Sequence, residues 1–75
     1  MNITIDSNET AHFTLGNDEF EAYEFSGISM NAEFVLRVIK NGEHFDDYHF
    51  DWESVEDGRE LESAIEMFAE IYCND

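Results

Sequence analysis

EFVLRVIKNGEHFDDYHFDW, residues 33–52, is the stretch that decides the fold. Two runs rich in β-branched and aromatic residues flank Asn41-Gly42, the pair favoured in a two-residue type I′ turn because both central positions take positive φ. Residues 33–40 and 43–52 therefore read as antiparallel strands. Their register follows from the turn: Lys40 faces Glu43, Val38 faces Phe45 and Arg37 faces Asp46, which pairs two of the three cations across the ladder. Continued strictly, it sets Leu36 against Asp47 and Phe34 against His49, polar groups opposite core residues. A one-residue bulge at Asp46-Asp47 restores apolar pairing, Leu36 with Tyr48 and Phe34 with Phe50. Phe34, Leu36, Val38, Phe45, Tyr48 and Phe50 then share one core face, and Trp52 is a candidate seventh member.

Working outward toward the N-terminus, residues 19–25 read as a strand returning from 11–15 through the turn cluster Gly16-Asn17-Asp18, with a further short apolar run at 3–5. The alternative for 19–25 is a short helix capped by Asn17, with Phe20 and Tyr23 on one face and Gly27 just past its end. Aromatics at every second or third position over so short a run favour the strand. Toward the C-terminus, Ser54 followed three residues later by Asp57 has the shape of a capping box. A helix is expected after it, with a possible break at Gly58. Leu61, Ala64, Ile65, Phe68, Ile71 and Tyr72 recur at helical spacing and form its packing face. Glu62, Glu66 and Glu70 lie on the opposite side about 6 Å apart along the axis, a like-charge row that opposes the helix and leaves tertiary packing to hold it. The fold class is α+β: an antiparallel sheet of three to five strands packed by one C-terminal helix. No repeat, linker or proline divides the chain, so residues 1–75 form a single acidic domain.

Nineteen acidic side chains against three basic ones and three histidines give a formal net charge of -16 over 75 residues. Such a charge with few aromatics would mean disorder, but 43% of residues are apolar and 15% aromatic. The chain should fold, with a core built mainly from phenylalanine, tyrosine and Trp52. Crowded like charges should raise carboxylate pKa values on average, which predicts a domain firmer near pH 5 than at pH 7.5. No apolar run is long enough to span a membrane, and the first residues have no signal-peptide pattern, so a cytoplasmic location is expected. Direct nucleic-acid binding is disfavoured, because so few cations cannot offset the repulsion of a phosphate backbone.

Chemistry-bearing constellations are few. His44, Asp46, Asp47, His49 and Asp51 are competent metal ligands, but simple strand alternation splits His44 and Asp46 from His49 and Asp51, and no ligand motif fixes their geometry. No metal or other cofactor is expected. Paired carboxylates in so acidic a chain define no acid and base, there is no glycine-rich phosphate loop, and a small core leaves little room for a pocket. An enzyme is not expected. Cys73, the only cysteine, reads as an inert, half-buried thiol whose acidic neighbours disfavour the thiolate.

The acids themselves remain. They group as Asp18, Glu19, Glu21 and Glu24 around the first hairpin, as Asp46, Asp47, Asp51, Glu53, Glu56 and Asp57 from bulge to cap, and as Glu60, Glu62, Glu66 and Glu70 on the helix. A net charge magnitude of about 2 to 8 suffices for solubility in a small domain, so the excess has another cause: adaptation to a high-salt cytoplasm, which six Ile, six Asn and seven Phe argue against, or a basic partner. In size, charge, aromatic content and the series Glu62, Glu66, Glu70 and Asp46, Asp47, Asp51, the chain resembles the small acidic phage proteins that act as anti-CRISPR or anti-restriction factors. That resemblance is one of class, and it implies an inhibitor that occupies the nucleic-acid channel of a nuclease by imitating nucleic-acid charge. The partner-binding residues it implies are Asp46, Asp47, Asp51, Glu53, Glu56, Asp57, Glu62, Glu66 and Glu70. Similar acidity would also serve an immunity or antitoxin protein that neutralises a basic toxin.

Overall fold

The computed structural model of the chain describes residues 1–25 and 33–74. Five strands run in sequence order across one antiparallel sheet: β1 (Thr4–Ile5), β2 (Ala11–Leu15), β3 (Asp18–Glu24), β4 (Glu33–Lys40) and β5 (Glu43–Asp51). A 3-10 turn (Trp52–Ser54) leads to the helix α1 (Glu60–Cys73), which packs on one face of the sheet. The α+β architecture read from the sequence is the observed one. Residues 19–24 are strand rather than helix, and the glycine that would have ended the alternative helix, Gly27, lies outside the described residues.

Local chemistry explains the turns. Asn41 and Gly42 have φ of 50° and 86°, the two positive values a type I′ turn requires. Asn41 does more than turn the chain. Its N–H donates to the Glu19 carbonyl at 2.7 Å, its Oδ1 accepts from the Glu19 N–H at 2.9 Å, and its Nδ2 donates to Asp18 Oδ1 at 3.1 Å. The central hairpin is thereby tied to the start of β3.

The expected bulge exists but its extra residue lies two positions earlier. Ile39 faces His44 and Val38 faces Asp46, so Phe45 is the extra residue. Val38 therefore opposes Asp46 instead of Phe45, and Arg37 opposes Asp47 instead of Asp46; beyond the bulge, Leu36 pairs with Tyr48 and Phe34 with Phe50 as the sequence predicts. Two interactions outside the turn account for the shift. The Phe45 ring reaches the helix side, 5.9 Å from Tyr72 and 6.3 Å from Phe68, while Arg37 makes two 2.9 Å bonds to the Asp47 carboxylate.

The core lies between sheet and helix. Ala11 and Phe13 from β2, Phe20 and Ala22 from β3, and Phe34, Leu36 and Val38 from β4 meet Ala64, Ile65 and Phe68 of α1, with no buried polar side chain among the described residues. Phe68 is the hub. Its ring lies 5.0 to 6.3 Å from those of Tyr48, Phe20, Tyr72, Phe13 and Phe45, distances at which edge-to-face pairs add to the area they bury. The Tyr72 hydroxyl donates to Asp18 at 2.7 Å and anchors the end of the helix to the first hairpin.

Three expectations at this face are corrected. Trp52 is 42% exposed, its ring centroid 5.4 Å from that of Phe34 in an edge-to-face pair; Phe45 keeps to the helix side but is 39% exposed; and Ile71 is 44% exposed and outside the packing face. The cause is the placement of α1, which lies chiefly over β2, β3 and β4 and meets β5 through the rings of Phe68 and Tyr72, so that β5 is only partly covered. Cys73 is likewise exposed rather than half-buried.

The capping box does not form. Ser54 lies in the 3-10 turn, Val55 enters the core, and α1 begins at Glu60. Gly58, at φ 86°, takes the chain out of helical geometry just before that point. The connection into the helix is held by other bonds: Gly58 N–H donates to Glu60 Oε2 at 3.1 Å, and Glu56 N–H donates to Ser63 Oγ at 3.0 Å.

Candidate partner-binding surface

The sheet has a covered face and an open one, and the bulge decides which acids reach each. Strand residues alternate between faces, so the extra residue at Phe45 changes the parity of everything after it. His44 consequently shares the open face with Asp47, and its Nε2 lies 3.1 Å from Asp47 Oδ1. The split into His44 with Asp46 and His49 with Asp51, expected from simple alternation, is therefore incorrect. All three histidines stand on the open face, each beside a carboxylate: His12 with Asp6 at 2.8 Å, His44 with Asp47, and His49 with Glu33 at 3.4 Å. Among the described residues, no group of three or more His, Cys, Asp or Glu side chains is arranged to hold a metal ion.

Each of the three cations is engaged within the molecule. Arg37 grips Asp47 on the open face, with the Phe25 ring 3.8 Å from its guanidinium carbon. Lys40 lies on the helix side, 3.9 Å from Asp18 and over the rings of Phe45 and Tyr72 at 5.3 and 5.4 Å. Arg59, just before the helix, reaches Glu56 at 2.7 Å and Glu66 at 3.3 Å.

These contacts set the carboxylate chemistry. The Arg37 bonds, assisted by His44, hold Asp47 down at about 2. Asp18 is lowered by the Tyr72 hydroxyl and the Asn41 amide, Asp6 by His12 and the Thr10 N–H, and Glu60 by the Gly58 N–H. All four shifts run opposite to the rise expected from like-charge crowding, because short hydrogen bonds to the ionised form outweigh screened repulsion at these sites.

The nine acids singled out from the sequence do not form one ladder. Asp47 and Asp51 belong to the open face, Asp51 directly across from Glu33. Asp46 is exposed at the bulge, its Oδ1 accepting the Asp47 N–H at 2.8 Å. Glu53, Glu56 and Asp57 are exposed between β5 and α1. Glu66 and Glu70 are exposed on the helix, but Glu66 is paired with Arg59, and Glu62 is half-buried.

Glu62 instead lines an open cleft of about 520 Å³ at the end of the sheet, together with Glu9, Glu24 and Glu60, against Tyr23 and Leu61. The sequence reading left little room for such a space and missed the convergence of these four glutamates. Glu9 comes from the β1–β2 connection and Glu24 from the end of β3, so no local spacing links them to the helix. A second, more apolar groove opens between α1 and the end of β5, lined by Phe50, Met67, Glu70, Ile71 and Asn74.

Comparison with protein-family models, with curated proteins and with solved structures returns no match for this chain. Among the described residues, no helix is long and apolar enough to cross a membrane.

Proposed function

We propose that this protein is an inhibitor that binds a basic, nucleic-acid-binding defence protein, such as a CRISPR or restriction nuclease, and covers its phosphate-binding surface with carboxylates. The observation that carries the reading is the internal engagement of Arg37, Lys40 and Arg59. With every Lys and Arg held by the molecule's own acids or rings, the formal charge of -16 is displayed on a rigid scaffold with no cationic patch to interrupt it. Such a field speeds encounter with a basic surface and repels nucleic acid itself. The acids from Asp46 to Asp57 and those at Glu62, Glu66 and Glu70 are the contact candidates, with Trp52 an exposed aromatic beside the first group.

The test is recovery of the partner from the native host on the immobilised protein, followed by competition. Saturating DNA or RNA should displace the partner, and affinity should fall steeply between about 50 and 200 mM salt, as it does for multi-contact phosphate complexes. A partner retained equally at high salt and alongside nucleic acid would refute charge mimicry.

A further inference from the structure

The two edges of the sheet differ. β1 offers two residues, whereas β5 offers nine and has no strand on its outer side among the described residues. Alternate backbone N–H and C=O groups along such an edge point outward as a template for another strand. Beside this edge lies the apolar groove between α1 and the far end of β5, with Phe50 and Met67 half-buried and Ile71 44% exposed.

We propose that the outer edge of β5, with the groove between Phe50 and Ile71, accepts an extended segment of a basic partner as a sixth strand. The parity set by the bulge specifies the side chains of that segment. On the open face β5 presents Asp47 and Asp51, four residues apart and thus about 13 Å along the strand. Asp51 faces another acid, Glu33, across the ladder, an unfavourable pair that a cation on the added strand would offset. On the helix side β5 presents Tyr48 and Phe50, beside the groove. The fitting segment therefore alternates cationic residues toward the open face with apolar residues toward α1, the side-chain logic of strand addition.

Charge complementarity also excludes the commonest rival occupant, a second copy of this chain. Two β5 edges paired antiparallel about Asp47 would set Asp47 against Asp47 and Asp51 against Glu43, and paired about His49 would set Asp47 against Asp51; like charges across a ladder destabilise it. The acids thus keep the edge from pairing with itself while leaving it open to a basic strand.

This docking mode rests on the reading that the partner is basic, and the experiment separates the two. The probe is a labelled twelve-residue peptide alternating arginine and valine, with a second peptide of the same composition carrying all its arginines in one block. Binding is followed by fluorescence anisotropy, and amide hydrogen exchange is followed residue by residue. The alternating peptide should bind more tightly than the block peptide and should newly protect amides within β5. Ile71→Glu and Asp51→Lys, both at exposed positions and checked for unchanged melting, should each weaken binding about tenfold, the loss typical of an interface anchor. Equal binding of the two peptides, unchanged affinity in both variants or absence of new β5 protection would overturn strand addition while leaving a basic partner in place. Failure of both peptides to bind at all would remove strand addition and count against the basic-partner reading as well.

Discussion

The two faces of the sheet are held by different physics. On the covered face, rings and aliphatic side chains pack around Phe68 with no buried polar side chain among the described residues, and the stabilisation comes from apolar area removed from water. On the open face, Arg37 and Asp47 form a two-bond ion pair under Phe25, and all three histidines lie beside carboxylates. A chain so short of cations places one of them where a carboxylate, an aromatic ring and a histidine converge. The lesson is a difference in kind: the covered face contributes apolar packing, which does not depend on pH, whereas the open face contributes in Arg37 and Asp47 a charged pair whose stabilisation depends on the ionisation of the carboxylate.

The largest expected effect lies on the covered face. Phe68→Ala should cost about 3 to 5 kcal/mol, enough to unfold most of a domain this small at ambient temperature, as read by urea denaturation. A loss below about 2 kcal/mol would mean that the ring cluster is not the hub the geometry describes.

Asp47→Asn should cost about 1 to 2 kcal/mol at neutral pH, a charged hydrogen-bonded pair discounted for its partial exposure. Its pH dependence sharpens the comparison. Asp47 has a folded pKa lowered from 3.8 to about 2, so its contribution is fully present above the unfolded value and is lost as pH falls through the folded one. Denaturation curves of the two proteins should therefore differ at pH 7 and converge as pH drops from 4 toward 2, whereas the deficit of Phe68→Ala should persist in any acid condition where the parent still folds. A constant gap for Asp47→Asn would show that the side chain matters for packing rather than for charge.

The smallest effect is expected at the solvent edge of the helix. Glu70→Lys should change stability by no more than about 0.5 kcal/mol, while Glu66→Lys, which sets a cation against Arg59, should be the more costly of the two. Equal thermal shifts for both would show that the Arg59 pair contributes nothing measurable.

Legibility in the sequence followed the range of the forces involved. Asn41-Gly42 announced its turn because positive φ at two adjacent positions is a local demand, and the pairs Phe34 with Phe50 and Leu36 with Tyr48 followed from the need for a bulge to keep apolar residues opposite each other on one face. The bulge was misplaced by two residues because its position depends on where the Phe45 ring lands beside Tyr72 and which aspartate Arg37 reaches. Ser54 and Asp57 carried a cap signal, yet Gly58 and the burial of Val55 redirected the chain. Of the candidate surface, the identity of the acids was legible; their division between faces, the grip of Arg59 on Glu66 and the convergence of Glu9, Glu24, Glu60 and Glu62 on one cleft were not.

By itself the sequence determined the element types, the central hairpin, the amphipathic helix and the sign of the surface, since these arise from backbone preferences, short periodicities and a simple excess of carboxylates. Only the tertiary structure decided which carboxylates are neutralised by Arg37, Lys40 and Arg59, which side of the sheet each histidine occupies and how far α1 covers β5. Those outcomes depend on one extra residue in a strand and on rings meeting across elements far apart in the chain, and packing of that kind is settled by three-dimensional fit rather than by any local pattern.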